Sequence, residues 1–464
     1  MDTEPRRNRR MRPFAAPRPF ADRIFFQPLP CRLLALLAAC LLLTGAGAPE
    51  GPDIARKATL ADLVRQGHAH NPQVAMKKAD WRARVEKVRA ESGYPDPQLM
   101  VTWFTDPIET RLGPQDWNLT LTQAVPFPGR LSRKAEALAK DAEIARLELN
   151  AAEREMIVAI RESWHELIYI RAAKEVAAAN ERLLEQLRRG VESGHAEDRA
   201  TLNDVIRAQS QAAQLRYDVL LLDELEQTEV TRLNALLNRE PEAAVGRLVP
   251  EAQPPLALSL PEIRDLVEKN REEIRIAGLR KDKAEIGRSL AGYSSLPELR
   301  FGLFYAEIGQ PEMSPPPRDA GRDAVGLQAG ITIPLWFGKN RSAARQAEAE
   351  EDSAGFARGE AVNRARAAVR EVYFRLRNAE RLVVLYRDSL LPQALATLNA
   401  AESWNREGEG SFSDLIEAQA TVYNFQLSLA RAQADAGKFL ARLEGLAGTR
   451  LIEASAPAAE GETP

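Results

Sequence analysis

Residues able to do covalent or metal chemistry are few in this 464-residue chain, and they are badly spaced for it. The four histidines, His68, His70, His165 and His195, are scattered. His68 and His70 stand two apart, which puts them on different faces of a helix, so a surface helix is the expected setting. The two cysteines, Cys31 and Cys40, both fall in the N-terminal segment, and no Met or Cys cluster follows to hold a soft metal. Acidic residues abound, but solvated helix faces account for them, and no catalytic pair stands out. Gly-x-Ser-x-Gly and His-Glu-x-x-His are absent, as is a Gly-x-Gly-x-x-Gly beside a strand. Gly338-Lys339-Asn340 lacks the upstream glycine and the hydroxyl residue of a phosphate loop. No catalytic residue, metal ligand or cofactor is therefore assigned, and enzymes drop out first. The formal charge of −3, with basic residues interleaved among acidic ones, gives nucleic acid no footing either.

The N-terminus carries a different kind of signal. Arg6, Arg7, Arg9, Arg10, Arg12 and Arg32 lead into an apolar run from Leu33 to Leu43, and Ala46-Gly47-Ala48 follows as a small-x-small cleavage site. The layout is that of a secretory signal peptide over residues 1–48, too short to remain as a membrane-spanning helix. Leu37-Ala38-Ala39-Cys40 also resembles a lipoprotein processing box, which would make Cys40 an acylated first residue. Leu41, Leu42 and Leu43 prolong the apolar core beyond Cys40, which favours cleavage after Ala48.

The elements behind this segment are set by an internal duplication. Asn71 answers Asn270, and Gly93-Tyr94 answers Gly292-Tyr293, at a spacing of 199 residues. Pro97 and Leu99 answer Pro297 and Leu299 at 200, and Gly129-Arg130 answers Gly338-Lys339 at 209. Asp204, Ala208 and Gln209 then answer Asp414, Ala418 and Gln419 at 210, a slow growth of the kind loop insertions produce. The first repeat covers 49–250, with strands near 98–105 and 116–125 and a helical hairpin over 131–239. The second covers 251–450, with strands near 298–306 and 324–333 and a hairpin over 340–446. An Ala-, Pro-, Glu- and Gly-rich tail, 451–464, is expected to be disordered.

Within each repeat the strands alternate apolar and polar residues, as in Trp117-Asn118-Leu119-Thr120-Leu121-Thr122. Trp103, Trp117, Phe127, Tyr305, Trp336 and Phe337 gather at the strand ends. They suit either a soluble sheet with an aromatic core or membrane strands with an aromatic girdle. The segments Thr105 to Gln115 and Glu307 to Arg322 read as loops facing the cell exterior. From Ser132 to about Glu192 there is no proline, and sixty residues of helix reach roughly 90 Å. Leu138, Ala142, Ala145, Leu149, Ala152, Met156 and Ala159 make a heptad seam of largely small residues along that rod. The second rod, from Asn340 to Arg406, contains Pro392, which should kink or break it. Four strands cannot close a membrane barrel, so several chains must share one, and three copies would make twelve strands. The expected fold is mainly α with a small β part. Long α-helical hairpins lie in tandem duplication, and four strands per chain contribute to a trimeric twelve-stranded transmembrane β-barrel over an α-helical barrel. A soluble adaptor or scaffold would instead carry one hairpin flanked by small all-β domains.

The chain resembles the TolC-type outer-membrane efflux factor family over nearly all of its mature length. The resemblance rests on Leu60 to Asn71-Pro72, Gly93-Tyr94-Pro95-Asp96-Pro97, Leu390-Leu391-Pro392-Gln393-Ala394 and two segments after the hairpin tips. Those segments are Leu202-Asn203-Asp204-Val205 and Phe412-Ser413-Asp414-Leu415-Ile416-Glu417-Ala418-Gln419. It implies a homotrimer in outer-membrane lipid, with helices in the periplasm meeting a periplasmic adaptor driven by an inner-membrane pump. It also implies a mixed belt near Pro392 and from about Asn238 to Pro261. By position it makes Asp414 and Glu417 the acidic lining of the pore constriction, with Asp204 as the first-repeat counterpart able to hold the closed state. The plainer reading is that Asp414 caps a helix beginning near Ser413 and Glu417 is solvated. Gly410 stands where an arginine partner for such a lock is found in other members, leaving Arg406 as the nearest substitute. Gly194, Gly408, Gly410 and Ser411 are the adaptor-contact candidates, against which stands glycine's general use in tight reversals. Val125-Pro126-Phe127-Pro128-Gly129-Arg130 and Pro334-Leu335-Trp336-Phe337-Gly338-Lys339 look most like the heavy-metal-export branch.

Overall fold

The computed structural model describes residues 54–197, 200–250, 256–407 and 409–452. The signal segment with Cys40, the tip residue Gly408 and the tail beyond Ile452 lie outside the described residues. A two-residue strand β1 (Lys57–Ala58) precedes α1 (Leu60–His70) and α2 (Pro72–Glu91), and a strand hairpin follows, β2 (Gln98–Thr110) and β3 (Gly113–Val125). The first rod is α3 (Arg130–Ala196), returning as α4 (Leu202–Leu236). The first repeat ends on β4 (Arg247–Leu248); the second opens on α5 (Leu260–Asn270) and α6 (Glu272–Tyr293), then β5 (Glu298–Ala306) and β6 (Ala324–Thr332). Its rod is α7 (Phe337–Leu385), a π-helical turn over Tyr386–Leu390 and α8 (Leu391–Glu407), and α9 (Phe412–Ala447) returns.

The sequence explains where these helices start and stop. The Asn71 side chain accepts from the Val74 N–H and so caps α2, with Pro72 at a first-turn position that has no donor to lose. Its Nδ2 also donates to the Leu236 carbonyl at 2.8 Å, pinning the far end of α4. Asn270 repeats the bond on the Ala447 carbonyl at the end of α9. Gly129 enters α3 at φ +90°, and a Cβ there would lie 2.6 Å from the Tyr293 hydroxyl, so only glycine fits. His68 and His70 are exposed on α1.

Equivalent residues of the two repeats build equivalent cores. Leu63, Val74, Ile160, Leu167, Leu233 and Leu237 are buried together in one. Ile263, Ile274, Val369, Leu376, Leu443 and Ala447 are buried together in the other. These pairs also locate the growth in repeat spacing. Ile160/Val369 and Leu167/Leu376 keep 209 residues, whereas the buried pairs Leu184/Ala394 and Val191/Ala401 are 210 apart. Between them lies the π-turn, which takes up the one extra residue. Pro392 therefore does not break the rod as its sequence suggests. The widened turn leaves room for a ring that donates no backbone bond, and the helix runs on to Glu407.

The first strand pair is also longer than the alternation indicates. Asp106 to Gln115 do not form a loop: β2 continues to Thr110 across an irregularity between Trp103 and Ile108, and Thr110 to Gly113 makes the turn. Residues 307–323 form the irregular connection expected between β5 and β6. Short β1 and β4 pair in parallel and tie the beginning of the first repeat to its end.

The repeats are also joined along α3 and α9. Arg161 pairs with Glu444, Glu162 with Arg442, and Glu166 with both Arg431 and Lys438. His165 lies between these pairs over Gly437, where a Cβ would come within 2.5 Å of the imidazole. Burial, aided by Arg161 and Lys438, pushes that imidazole down to about 4, so it is neutral at pH 7.

Candidate functional site

The four long strands form one antiparallel sheet in the order β2-β3-β5-β6, so the junction between repeats is the β3–β5 pairing. In a sheet, residues directly opposite each other point to the same side. Leu99, Leu121, Leu303 and Leu327 form one cross-strand row, and Val101, Leu119, Tyr305 and Val325 the next. Val125, Leu299 and Ile331 extend that side. The reverse side reads Gln98, Thr122, Gly302 and Gln328, then Thr102, Asn118, Ala306 and Ala324. One face is apolar except at Gln123, and the other is polar or small except at Met100 and Phe304, which share a row with Thr120 and Gly326.

Among the described residues nothing packs on the apolar face: Leu327 is 86% exposed and Trp103 71%. A soluble sheet of this composition would be covered, because burying one leucine side chain is worth about 2 kcal/mol. Among the described residues the outer edges of β2 and β6 are likewise unpaired. Among the described residues no helix is long and apolar enough to cross a membrane.

The aromatic residues named from the sequence fall at two levels of this sheet. Trp103 is opposite Trp117, whose ring lies 5.4 Å from that of Tyr305, on the side of the inter-strand connections. Phe127, Trp336 and Phe337 lie at the helix side; Phe127 meets Tyr293 at 6.3 Å, and Trp336 and Phe337 are exposed. Eight to ten residues of strand separate the levels, which at ~3.3 Å per residue is roughly 26–33 Å along the strand.

At the opposite end of the rods stand the two tips. Thr201 and Asp204 form a reciprocal capping box, so the Asp204 carboxylate is engaged by the Thr201 hydroxyl at 2.6 Å and its N–H at 3.1 Å. Ser411, not Asp414, is the N-cap of α9, its hydroxyl accepting from the Ser413 N–H. Asp414 and Glu417 lie one turn apart on the exposed face of α9, and neither carboxylate is paired within the described residues. Arg207, the repeat counterpart of Glu417, donates to the Ser413 hydroxyl and ties the two tips together; sequence reasoning passed over it. Its signal was available, since the sign of charge reverses between otherwise matching segments.

Gly194 and Gly410 differ in what holds them. Gly410 donates to the Trp404 carbonyl, and a Cβ there would lie 2.9 Å from the Asn405 nitrogen, so the reversal itself requires glycine. At Gly194 a Cβ would meet only Ala200, at an ordinary 3.5 Å. The His195 Nδ1–H donates to the Ala200 carbonyl at 2.8 Å, and Gly194 contributes its carbonyl, which accepts from the Glu197 N–H at 3.2 Å, a bond any residue could make there. Arg406 is exposed. Among the described residues no three metal-ligating side chains cluster.

Residues 263–449, most of the second repeat, match the family model for outer membrane efflux proteins, as the sequence resemblance implied. No curated protein matches the chain in sequence. The fold is similar to that of the outer membrane protein VceC of Vibrio cholerae. That match has 19% identity and a TM-score of 0.70, covering 85% of this chain and 97% of that one. A membrane protein from Pseudomonas aeruginosa matches at 17% identity and a TM-score of 0.73, over 84% of this chain and 93% of that one. The open state of the MtrE outer membrane channel of Neisseria gonorrhoeae matches at 17% and 0.66, over 84% and 89%. The fold is thus that of outer-membrane efflux channels, whose solved members are channel proteins rather than enzymes.

Proposed function

We propose that the chain is one subunit of an outer-membrane efflux duct, in which three copies close a twelve-stranded barrel and their rods continue it into the periplasm. The observation that carries this is the open sheet: among the described residues it is bare and largely apolar on one side, mostly polar or small on the other, and unpaired at both edges. Lipid satisfies the apolar face, and further strands satisfy the edges. The two aromatic levels then sit at the two membrane interfaces. Native mass and conductance test it together: protein extracted from outer membranes in mild detergent should contain three chains per particle and open pores in planar bilayers. A soluble monomer would sink the reading.

In this reading the duct is passive. A periplasmic adaptor meets the tips, and an inner-membrane pump delivers the cargo, for which heavy-metal cations are the class suggested by the family branch. A duct need not bind what it passes, so the lack of a ligand cluster among the described residues does not bear on the cargo. Three copies of Asp414 and Glu417 ring the narrow end and draw cations through it. Asp204 has its carboxylate engaged in the Thr201 cap, so it could join a closing lock only by leaving that cap. Asp414→Asn with Glu417→Gln should roughly halve the cation-over-anion permeability ratio, read as reversal potential in a salt gradient. An unchanged ratio would remove the acidic ring and leave the duct. Gly194→Leu is the cleaner probe of adaptor contact, because the tip tolerates a side chain there: export should fall while trimers persist. Normal export would dismiss the contact.

A further inference from the structure

Each repeat has a seat for the next, and among the described residues only one seat is filled within the chain. Inside the molecule α6 packs against α3. Ile276 of α6, 7% exposed, is buried there with Ile144 and Leu147, and Leu279 packs against them. Three ion pairs flank the contact: Lys140 with Asp282, Lys283 with Asp141, and Arg280 with Glu148.

The duplication says which residues make the second seat. On the rods the spacing is 209 residues at this level, as Met156/Ala365 and Ile160/Val369 show. On the short helices it is 200, as Leu63/Ile263 and Val74/Ile274 show. The α3 face formed by Lys140, Asp141, Ile144, Ala145 and Glu148 therefore corresponds on α7 to Ala349, Glu350, Ser353, Ala354 and Ala357. Those five α7 residues line a cavity of about 780 Å³ beside α6. The counterpart of buried Leu147 is Phe356, 79% exposed, and the counterpart of buried Ile276 is Met76 on α2, 54% exposed. Two apolar residues whose duplicates pack together are thus both bare in one chain.

We infer that the α7 seat is filled by α2 of a second copy of this chain, with Met76 of one copy packed against Phe356 of the next. The inference rests on the multichain duct proposed above and supplies its contact. Such a junction is head-to-tail, joining the second repeat of one copy to the first repeat of another, and it generates a ring when the rotation closes. The same equivalence sets the strand register. Gln123 faces Phe301 at the internal junction, so Ile331 of one copy faces Val101 of the next.

The two junctions differ in chemistry. At the positions of the three internal ion pairs the second junction would place Ala349 with Arg82, Glu350 with Ala83, and Ala357 with Asp80, so none of the three is reproduced. The contact between copies is held by its apolar residues, and salt should not loosen it, since screening acts on charge pairs.

The test is cross-linking of the assembled protein with a short bis-maleimide. Met76→Cys combined with Phe356→Cys should give bands of two and three chains on a denaturing gel, equally at low and at molar salt, and either substitution alone should give none. Val101→Cys with Ile331→Cys, read the same way, is independent of packing at the first pair. Particles of three-chain mass that yield no cross-link at either pair overturn the seat and leave the duct standing. A one-chain mass for the unsubstituted protein overturns the duct itself, and the seat with it.

Discussion

Leu327→Arg is expected to abolish recovery of assembled protein from the outer membrane, whereas Gln328→Arg, one residue along the same strand, should leave assembly intact and change conduction. Leu327 is opposite Leu303 on the bare apolar face, and Gln328 is opposite Gly302 on the polar one. An arginine placed at the middle of the lipid-facing band costs ~2–4 kcal/mol, and three copies per particle bring this to roughly 6–12 kcal/mol. That is comparable to the whole stability of an ordinary domain, about 5–15 kcal/mol. On the other face the new guanidinium lies in water, and Gly302 opposite leaves it room. The measurement is the trimer yield of both variants after outer-membrane extraction, followed by single-channel conductance for Gln328→Arg. Equal yields would mean that the apolar face does not meet lipid.

Much of this architecture is legible in the residues, and the exceptions share a cause. The alternation in Trp117 to Thr122 fixes which side chains share a face, but it does not say whether that face is covered. The strands alone leave a soluble aromatic core and a membrane girdle equally open, and the exposure of Leu327 and Trp103 is what supports the girdle proposed above. Asp106, Pro107 and Glu109 look like loop residues because β2 runs on past its apolar stretch, where side chains no longer need to be apolar. The rod shows a different limit. The spacing of 209 at Gly129/Gly338 and 210 at Asp204/Asp414 was visible, yet a one-residue gain suggests a loop, and Pro392 suggests a break. A π-turn satisfies both facts inside one continuous helix. At the tips, sequence names Asp204, Asp414 and Ser411, but which oxygen caps which N–H depends on geometry that a spacing of three allows in either direction. Met76 and Phe356 were not legible at all, since a single exposed apolar residue means nothing until its duplicate is found buried.

Arg161→Met should destabilise the chain by about 3–5 kcal/mol, the usual cost of leaving one member of a buried ion pair without the other. Its partner Glu444 is 8% exposed and also accepts from the Leu451 N–H at 2.9 Å, so the carboxylate has no route to water without unpicking the end of α9. The pair itself need not be worth much. The Arg161 Nε is buried with no hydrogen-bond partner, so the guanidinium is imperfectly solvated even when paired. Adding Glu444→Gln to Arg161→Met keeps the acceptor for Leu451, removes the stranded charge and should recover most of the loss. Thermal unfolding of the detergent-solubilised protein separates the cases: a large drop for the single variant and a small one for the double. A double variant as weak as the single would instead place the arginine's contribution in the packing of its stem. The outcome also bears on the duct. This seam is where the second-repeat return helix leans on the first-repeat rod, and α9 carries Asp414 and Glu417 at its other end. A seam whose charges are costly to strand but cheap to replace would hold α9 to one register on α3, and so fix where the two carboxylates stand, with little net gain in stability.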